Sequence, residues 1–202
     1  NVNLTGGELF VRKDIVDIAK IYLKNTLIQS MYITTNASLP DRIENFAKII
    51  NSVDKELELN FQISIDELPE KHDKIRKIEN LFDNCLDTYR RIKKLNLDNV
   101  NAVVSITVSL ENCDNIKNIF DYLTSKCKID SLKCTIVRDE GVYKTPAEKK
   151  KRIFDAYSWL TNKIQEMSKE KKINNYNLKS IQGRLHNKKD NIAWNMVNKM
   201  YM

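Results

Sequence analysis

Glycine and proline are scarce in this 202-residue chain, with 4 and 3 copies, and histidine occurs only 2 times. So few breakers exclude a collagen-like repeat, a Gly/Ser linker and a wholly disordered chain. No apolar run approaches the ~20 residues of a membrane-spanning helix, and no charged-then-apolar segment opens the chain as a secretory signal would. Cysteine is sparse too. Cys85, Cys113, Cys127 and Cys134 form no C-x-x-C or comparably close ligand pair. They read as buried or half-buried thiols of a reducing cytoplasm, not as a metal site of their own. What is present is 42% hydrophobic residues, enough for one packed core, and 34 Lys+Arg against 27 Asp+Glu, a formal charge of +7. A chain of this length buries roughly 70% of its unfolded surface and needs no covalent staples. It opens on Asn1, and Val2 onward already reads as ordered, so the sequence is taken as a piece of a longer protein.

Strand and helix periods alternate along the chain. Val2 to Thr5 reads as a short strand and Lys13 to Lys24 as a helix, with Ile15, Ile18, Ala19, Tyr22 and Leu23 on one buried stripe. Met31 to Thr34 is the next strand. A helix follows over Ser38 to Ile50, with Pro40 in its first turn and Ile43, Phe46, Ala47 and Ile50 facing inward. From Leu57 to Asp66, apolar Leu57, Leu59, Phe61, Ile63 and Ile65 alternate with Glu58, Asn60, Gln62, Ser64 and Asp66, the period of a strand with one apolar face. A long helix is expected over Lys77 to Leu95, a strand over Val100 to Ser109, a helix over Asn115 to Ser125 and a strand over Ser131 to Val137. Thr145-Pro146-Ala147-Glu148 is a capping box that opens a helix to about Met167. A Lys- and Asn-rich linker should follow over 168 to 191, and Ile192 to Met202 resumes a short amphipathic pattern.

Repeated strand–helix alternation is the signature of right-handed crossovers and a parallel sheet. The polar residues opposite the apolar strand faces suit an open barrel whose concave side is wet or ligand-filled. The competing architecture is an antiparallel sheet with one solvated face.

In a parallel sheet, ligands bind beyond the C-terminal ends of the strands. Those ends carry Thr5-Gly6-Gly7-Glu8, Thr34-Thr35-Asn36, Ser64-Ile65-Asp66, Glu111-Asn112 and Arg138-Asp139-Glu140. Gly6 and Gly7 let backbone approach a ligand, and Glu8 offers a carboxylate for an amine. Each alone has a plainer reading: a strand-to-helix turn at Gly6-Gly7, a turn at Asn36, a solvated helix face at Arg76, a structural role for His72. The Lys-rich stretches alternate with Glu148, Glu166 and Glu170, which argues for a solvated face and against a nucleic-acid groove.

Leu4-Thr5-Gly6-Gly7-Glu8, Thr35-Asn36, Ser64-x-Asp66, His72-x-x-x-Arg76 and Asn112, in that order, resemble the radical SAM superfamily. More narrowly, they are similar to its members with a C-terminal SPASM-type auxiliary-cluster domain, such as sulfatase-maturating and peptide-modifying enzymes. The resemblance implies an α/β chain forming a partial open (β/α)6 barrel over residues 1–140, without its first strand. A helical extension and basic linker over 141–202 would lead towards a further domain. It also implies S-adenosylmethionine bound to a [4Fe-4S] cluster and cleaved reductively to a 5′-deoxyadenosyl radical, which takes hydrogen from a substrate. The reductant would be an electron-donor protein such as a ferredoxin or flavodoxin, in the cytoplasm. By motif matching, Gly6, Gly7 and Glu8 hold the methionyl amino group, Ser64 contacts ribose or carboxylate, and Arg76 pairs with the carboxylate. Asn36 counts among the cofactor-binding residues, Asp66 orients neighbours or reaches the ribose, and the strand ending at Val137 backs the adenine. A polar lining fits a peptide, a sugar or a small metabolite alike.

The chain departs from the family pattern in four places. It has no C-x3-C-x2-C loop, and Leu9, Ala37 and Glu67 stand where Pro, Gly and Gly are usual. Three thiolates hold such a cluster, so these residues alone cannot complete the reaction. A degenerate relative, or a non-catalytic α/β binding module, is the competing reading; a basic nucleic-acid-binding domain is a third.

Overall fold

The computed structural model describes residues 1–138 and 145–170. The expected polar strand end at Asp139-Glu140, most of the expected linker and the Ile192 to Met202 stretch lie outside them.

Five strands, β1 (Val2–Leu4), β2 (Ser30–Thr35), β3 (Glu58–Ser64), β4 (Val100–Val108) and β5 (Leu132–Ile136), form one open parallel sheet in sequence order. Register is tight where it is set by alternation: Ile33 pairs with Phe61 and Phe61 with Ala102, each on the apolar face. A one-residue slip would turn Leu59, Phe61 and Ile63, all without solvent access, out to the polar side.

Between the strands run α1 (Ile15–Asn25), α2 (Pro40–Val53), α3 (Pro69–Arg76), α4 (Leu81–Lys94) and α5 (Ile116–Asp121). The last of these continues into a π-helical turn at Tyr122–Lys126, and α6 (Ala147–Glu170) follows β5. The chain divides into two compact units: residues 1–106 with 121–132, and residues 107–120 with those from 133 onward.

In the first unit, α2 packs on α1 and α4, and α3 on α4. Ile43, Phe46, Ala47 and Ile50 are the buried stripe of α2, as the spacing requires. Phe46 stands edge-on to Phe10 (5.5 Å between centroids) and to Phe61 (6.3 Å), linking a short 3-10 turn at Leu9–Val11, α2 and β3. Arg91 of α4 ties α2 through Asp41 (2.6 Å) and Glu44 (3.1 Å), and Tyr89 donates to Asp130.

In the second unit, Trp159 of α6 packs edge-on to Phe120 at 5.7 Å, Arg152 pairs with Asp114, and Cys134 lies 3.3 Å from the Thr161 hydroxyl. The capping-box reading gives the right start for α6, but the helix runs to Glu170 and buries Ser168, so it takes the first turn of the expected linker.

Three expectations need correction. The long helix does not begin at Lys77. Lys77 (φ 56°) and Asn80 (φ 57°) take the left-handed conformation, so an eight-residue helix, α3, ends there and α4 starts afresh at Leu81. Tyr22 is 38% exposed rather than buried, because α1 buries only Ile15 and Ala19. The helix expected over Asn115 to Ser125 widens to π geometry from Tyr122, with the Cys127 N–H reaching back to the Tyr122 carbonyl.

Candidate functional site

The C-terminal ends of β1, β2 and β3 bring most of the anticipated residues together within the first unit. Gly6, with φ +149°, has a backbone that favours glycine. Gly7 has no such requirement, and a Cβ built on either glycine meets no atom within 4 Å. Among the described residues the space over the pair is therefore open, and nothing there demands glycine at position 7.

Glu8 caps the 3-10 turn that follows. Its Oε1 accepts the Phe10 N–H (3.2 Å) and the Thr35 hydroxyl (2.8 Å), and its Oε2 accepts the Asn36 N–H (2.7 Å). The carboxylate is thus bonded across to the end of β2 while keeping acceptor capacity for one more donor. Thr35 Oγ1 in turn accepts the Ala37 N–H at 2.9 Å, and Ala37 is held at φ 58°. The Asn36 side chain turns to its own backbone, its Oδ1 accepting the Ser38 N–H at 2.9 Å, so the Asn36 contact with Glu8 is through the main chain.

Cys85 of α4 joins β2 to β3 beneath this rim. Its thiol lies 3.3 Å from the Asn36 carbonyl and 3.7 Å from that of Ser64, the last residue of β3. Burial, tempered by Arg76 and reinforced by Asp73, Asp66 and Glu8, pushes this thiol up to about 12, so it is protonated at neutral pH. Ser64 pairs in register with Ser105 of β4 on the polar face, and Thr34 donates to Gln62 at 3.4 Å on the same face.

Beyond β3 the chain places Asp66, His72 and Arg76 together. Arg76 Nη2 pairs with Asp66 Oδ2, with 34% of the arginine and 13% of the aspartate side chain exposed. The Asp66 N–H donates to His72 Nδ1 at 3.3 Å. Glu67 is fully buried, its carboxylate accepting the Leu68 N–H (3.1 Å) and Lys71 Nζ (2.7 Å).

Gly6, Gly7, Glu8, Asn36, Ser64, Asp66 and Arg76 therefore belong to one neighbourhood. Val137 lies in the second unit, where its N–H donates to the Val108 carbonyl at 2.9 Å. Asn112 is also there, its side chain closing a turn onto Ser109 N (2.9 Å) and the Thr107 carbonyl (2.9 Å). Sequence reasoning missed Cys85 and the hydroxyl role of Thr35. The only signal for Cys85 was its place on the apolar stripe of α4.

A family model described as the radical SAM superfamily matches residues 1–123. The chain belongs to the radical SAM superfamily. No curated protein matches it. The superfamily in general uses S-adenosylmethionine and a [4Fe-4S] cluster for radical chemistry. The four cysteines of the chain do not fit such a cluster: all four are buried and unpaired, and among the described residues no group of three or more His, Cys, Asp or Glu is placed to hold a metal. The glycine pair, with open space above it and an acceptor site left on Glu8, does fit an amine-bearing ligand.

Proposed function

We propose that this radical SAM chain forms the part of an enzyme core that holds S-adenosylmethionine, with the cluster thiolates supplied by sequence other than these residues. The order of its motifs is the ground for reading the parent enzyme as SPASM-type. Gly6, Gly7 and Glu8 take the methionyl amino group, Ser64 lies beside the ribose or carboxylate, Asp66 orients its neighbours or reaches the ribose, and the Arg76 fork meets the carboxylate. An arginine fork and a carboxylate form a charge-assisted pair, as do a carboxylate and an ammonium. When bound, S-adenosylmethionine supplies the radical chemistry of the superfamily; the residues here bind and orient it.

The observation that carries this reading is the Glu8 carboxylate. It is fixed by three donors, one from the 3-10 turn and two from the end of β2, beside a glycine that packing among the described residues does not require. Titration of S-adenosylmethionine into the full-length parent protein, reconstituted with its cluster, tests it. Glu8→Ala should weaken binding by about 1–3 kcal/mol, the range for a lost charge-assisted bond. Gly7→Ala should weaken binding while leaving the thermal midpoint unchanged or slightly raised, since Cβ meets no atom of the described residues. Wild-type affinity in both variants refutes the assignment.

A further inference from the structure

His72 has no access to solvent. It sits in α3 against the ring of Phe82 of α4, the two centroids 6.0 Å apart and the planes at 77°. Its Nδ1 accepts the Asp66 N–H at 3.3 Å, and an imidazole nitrogen accepts only when it carries no proton. The contact therefore fixes the neutral tautomer with hydrogen on Nε2. Nε2 is buried and has no hydrogen-bond partner among the described residues. An orphaned buried donor costs stability, and the ring's hydrogen bond is the Nδ1 contact with Asp66. The residue it holds is the one whose carboxylate pairs with Arg76, one turn further along α3.

We infer that His72 is a positioning residue: by accepting the Asp66 N–H it aims the Asp66 carboxylate, and through that carboxylate the Arg76 guanidinium, at the open ends of the strands. Its consequence for ligand binding rests on the reading of Arg76 as partner of a cofactor carboxylate. A proton on Nδ1 would turn the acceptor into a donor facing another donor. The Asp66 contact would break, and the Asp66–Arg76 pair would lose one of the bonds that hold it in place. The charged groups around the ring are Asp66 and Glu67 from the β3–α3 loop and Asp73 and Arg76 from its own helix, while α4 presents Phe82. Burial, the largest influence, and Arg76 hold the imidazole below its ordinary 6.5, against the pull of the three carboxylates. The anchor is thus intact at neutral pH and released on acidification.

Nitrogen-15 NMR of the labelled chain tests this without any cofactor. Long-range proton–nitrogen spectra should show His72 with hydrogen on Nε2 at neutral pH. Below pH 6.5 the imidazole and the Arg76 side-chain resonances should move together with one midpoint, Arg76→Lys giving the assignment. His72→Asn, whose Oδ1 can accept the same N–H, should keep the Arg76 resonance at its neutral-pH position and remove the acid step. His72→Phe should displace that resonance at every pH. A proton on Nδ1, an Arg76 signal that ignores the His72 titration, or an unmoved Arg76 signal in a folded His72→Phe variant each overturns the inference. If His72→Phe does not fold, the wild-type titration and His72→Asn decide. The cofactor reading fails separately, if Arg76→Gln in the full-length parent protein, reconstituted with its cluster, binds S-adenosylmethionine as the wild type does.

Discussion

Ala37 and Lys77 share a left-handed backbone, at φ 58° and 56°, but differ in what surrounds them. Ala37 is fully buried and stands where the family usually has glycine. Replacing it with glycine relieves about 1–2 kcal/mol of left-handed strain. That relief is offset by a buried methyl worth about 0.8 kcal/mol and by about 0.5–1 kcal/mol of added chain entropy. For stability, the alanine is therefore a near-neutral exchange. Lys77 is exposed at the end of α3, so Lys77→Gly loses no buried group and should raise stability by up to about 1 kcal/mol, read from urea unfolding. The other two departures are also accommodated: Leu9 opens the turn that Glu8 caps, and Glu67 is buried with two donors on its carboxylate.

His72 adds a pH dependence at the same scale. Its folded value is depressed, so the unfolded chain takes up the proton first. The contribution is complete above the unfolded value of 6.5 and is lost as pH falls through the folded one. The urea midpoint should accordingly fall between pH 7.5 and 5.5, above the usual range of exposed carboxylates. A flat profile there would mean that His72 is not buried neutral.

At the scale of elements, what alternates is legible and what depends on distant partners is not. The period of two in β3 identifies both its core face and its polar face, and Leu57 to Ile65 are buried on every second residue. Phe61→Ala, emptying a site without solvent access against Phe46, should cost about 3–5 kcal/mol of unfolding free energy. An intact stability would remove β3 from the core. The break between α3 and α4 was hidden because lysine and asparagine, not glycine or proline, make the left-handed turns at Lys77 and Asn80. The site was legible as a set of residues but not as a set of bonds. Glu8 with Thr35, Cys85 with Ser64 and Asp66 with Arg76 are contacts between segments, and no local spacing encodes them.

At the scale of the whole molecule, basic side chains of the described residues meet acidic ones rather than forming a bare basic face around α4. Arg91 alone pairs with Asp41, Glu44 and Asp87. No helix among the described residues is long and apolar enough to cross a membrane. The cysteines set a clear expectation. Burial raises the thiol of Cys85 to about 12 and that of Cys134 to about 11, and it raises those of Cys113 and Cys127 as well. Cluster assembly needs accessible thiolates. Anaerobic reconstitution of the 202-residue chain with iron and sulfide should therefore yield no stoichiometric [4Fe-4S] absorbance. A full-strength spectrum would overturn the separation of cluster thiolates from cofactor-holding residues.

The first strand of the described sheet is three residues long and stands at its border. So short a ribbon has little rigidity of its own, and the acidic side chain just past it inherits its aim from the neighbouring strand, through Thr35 and Asn36. Local fraying there would disorient Glu8 long before the molecule unfolds. Deuterium uptake at residues 5 to 8 should consequently quicken in Thr35→Val while the deep amides of the third strand keep their slow exchange.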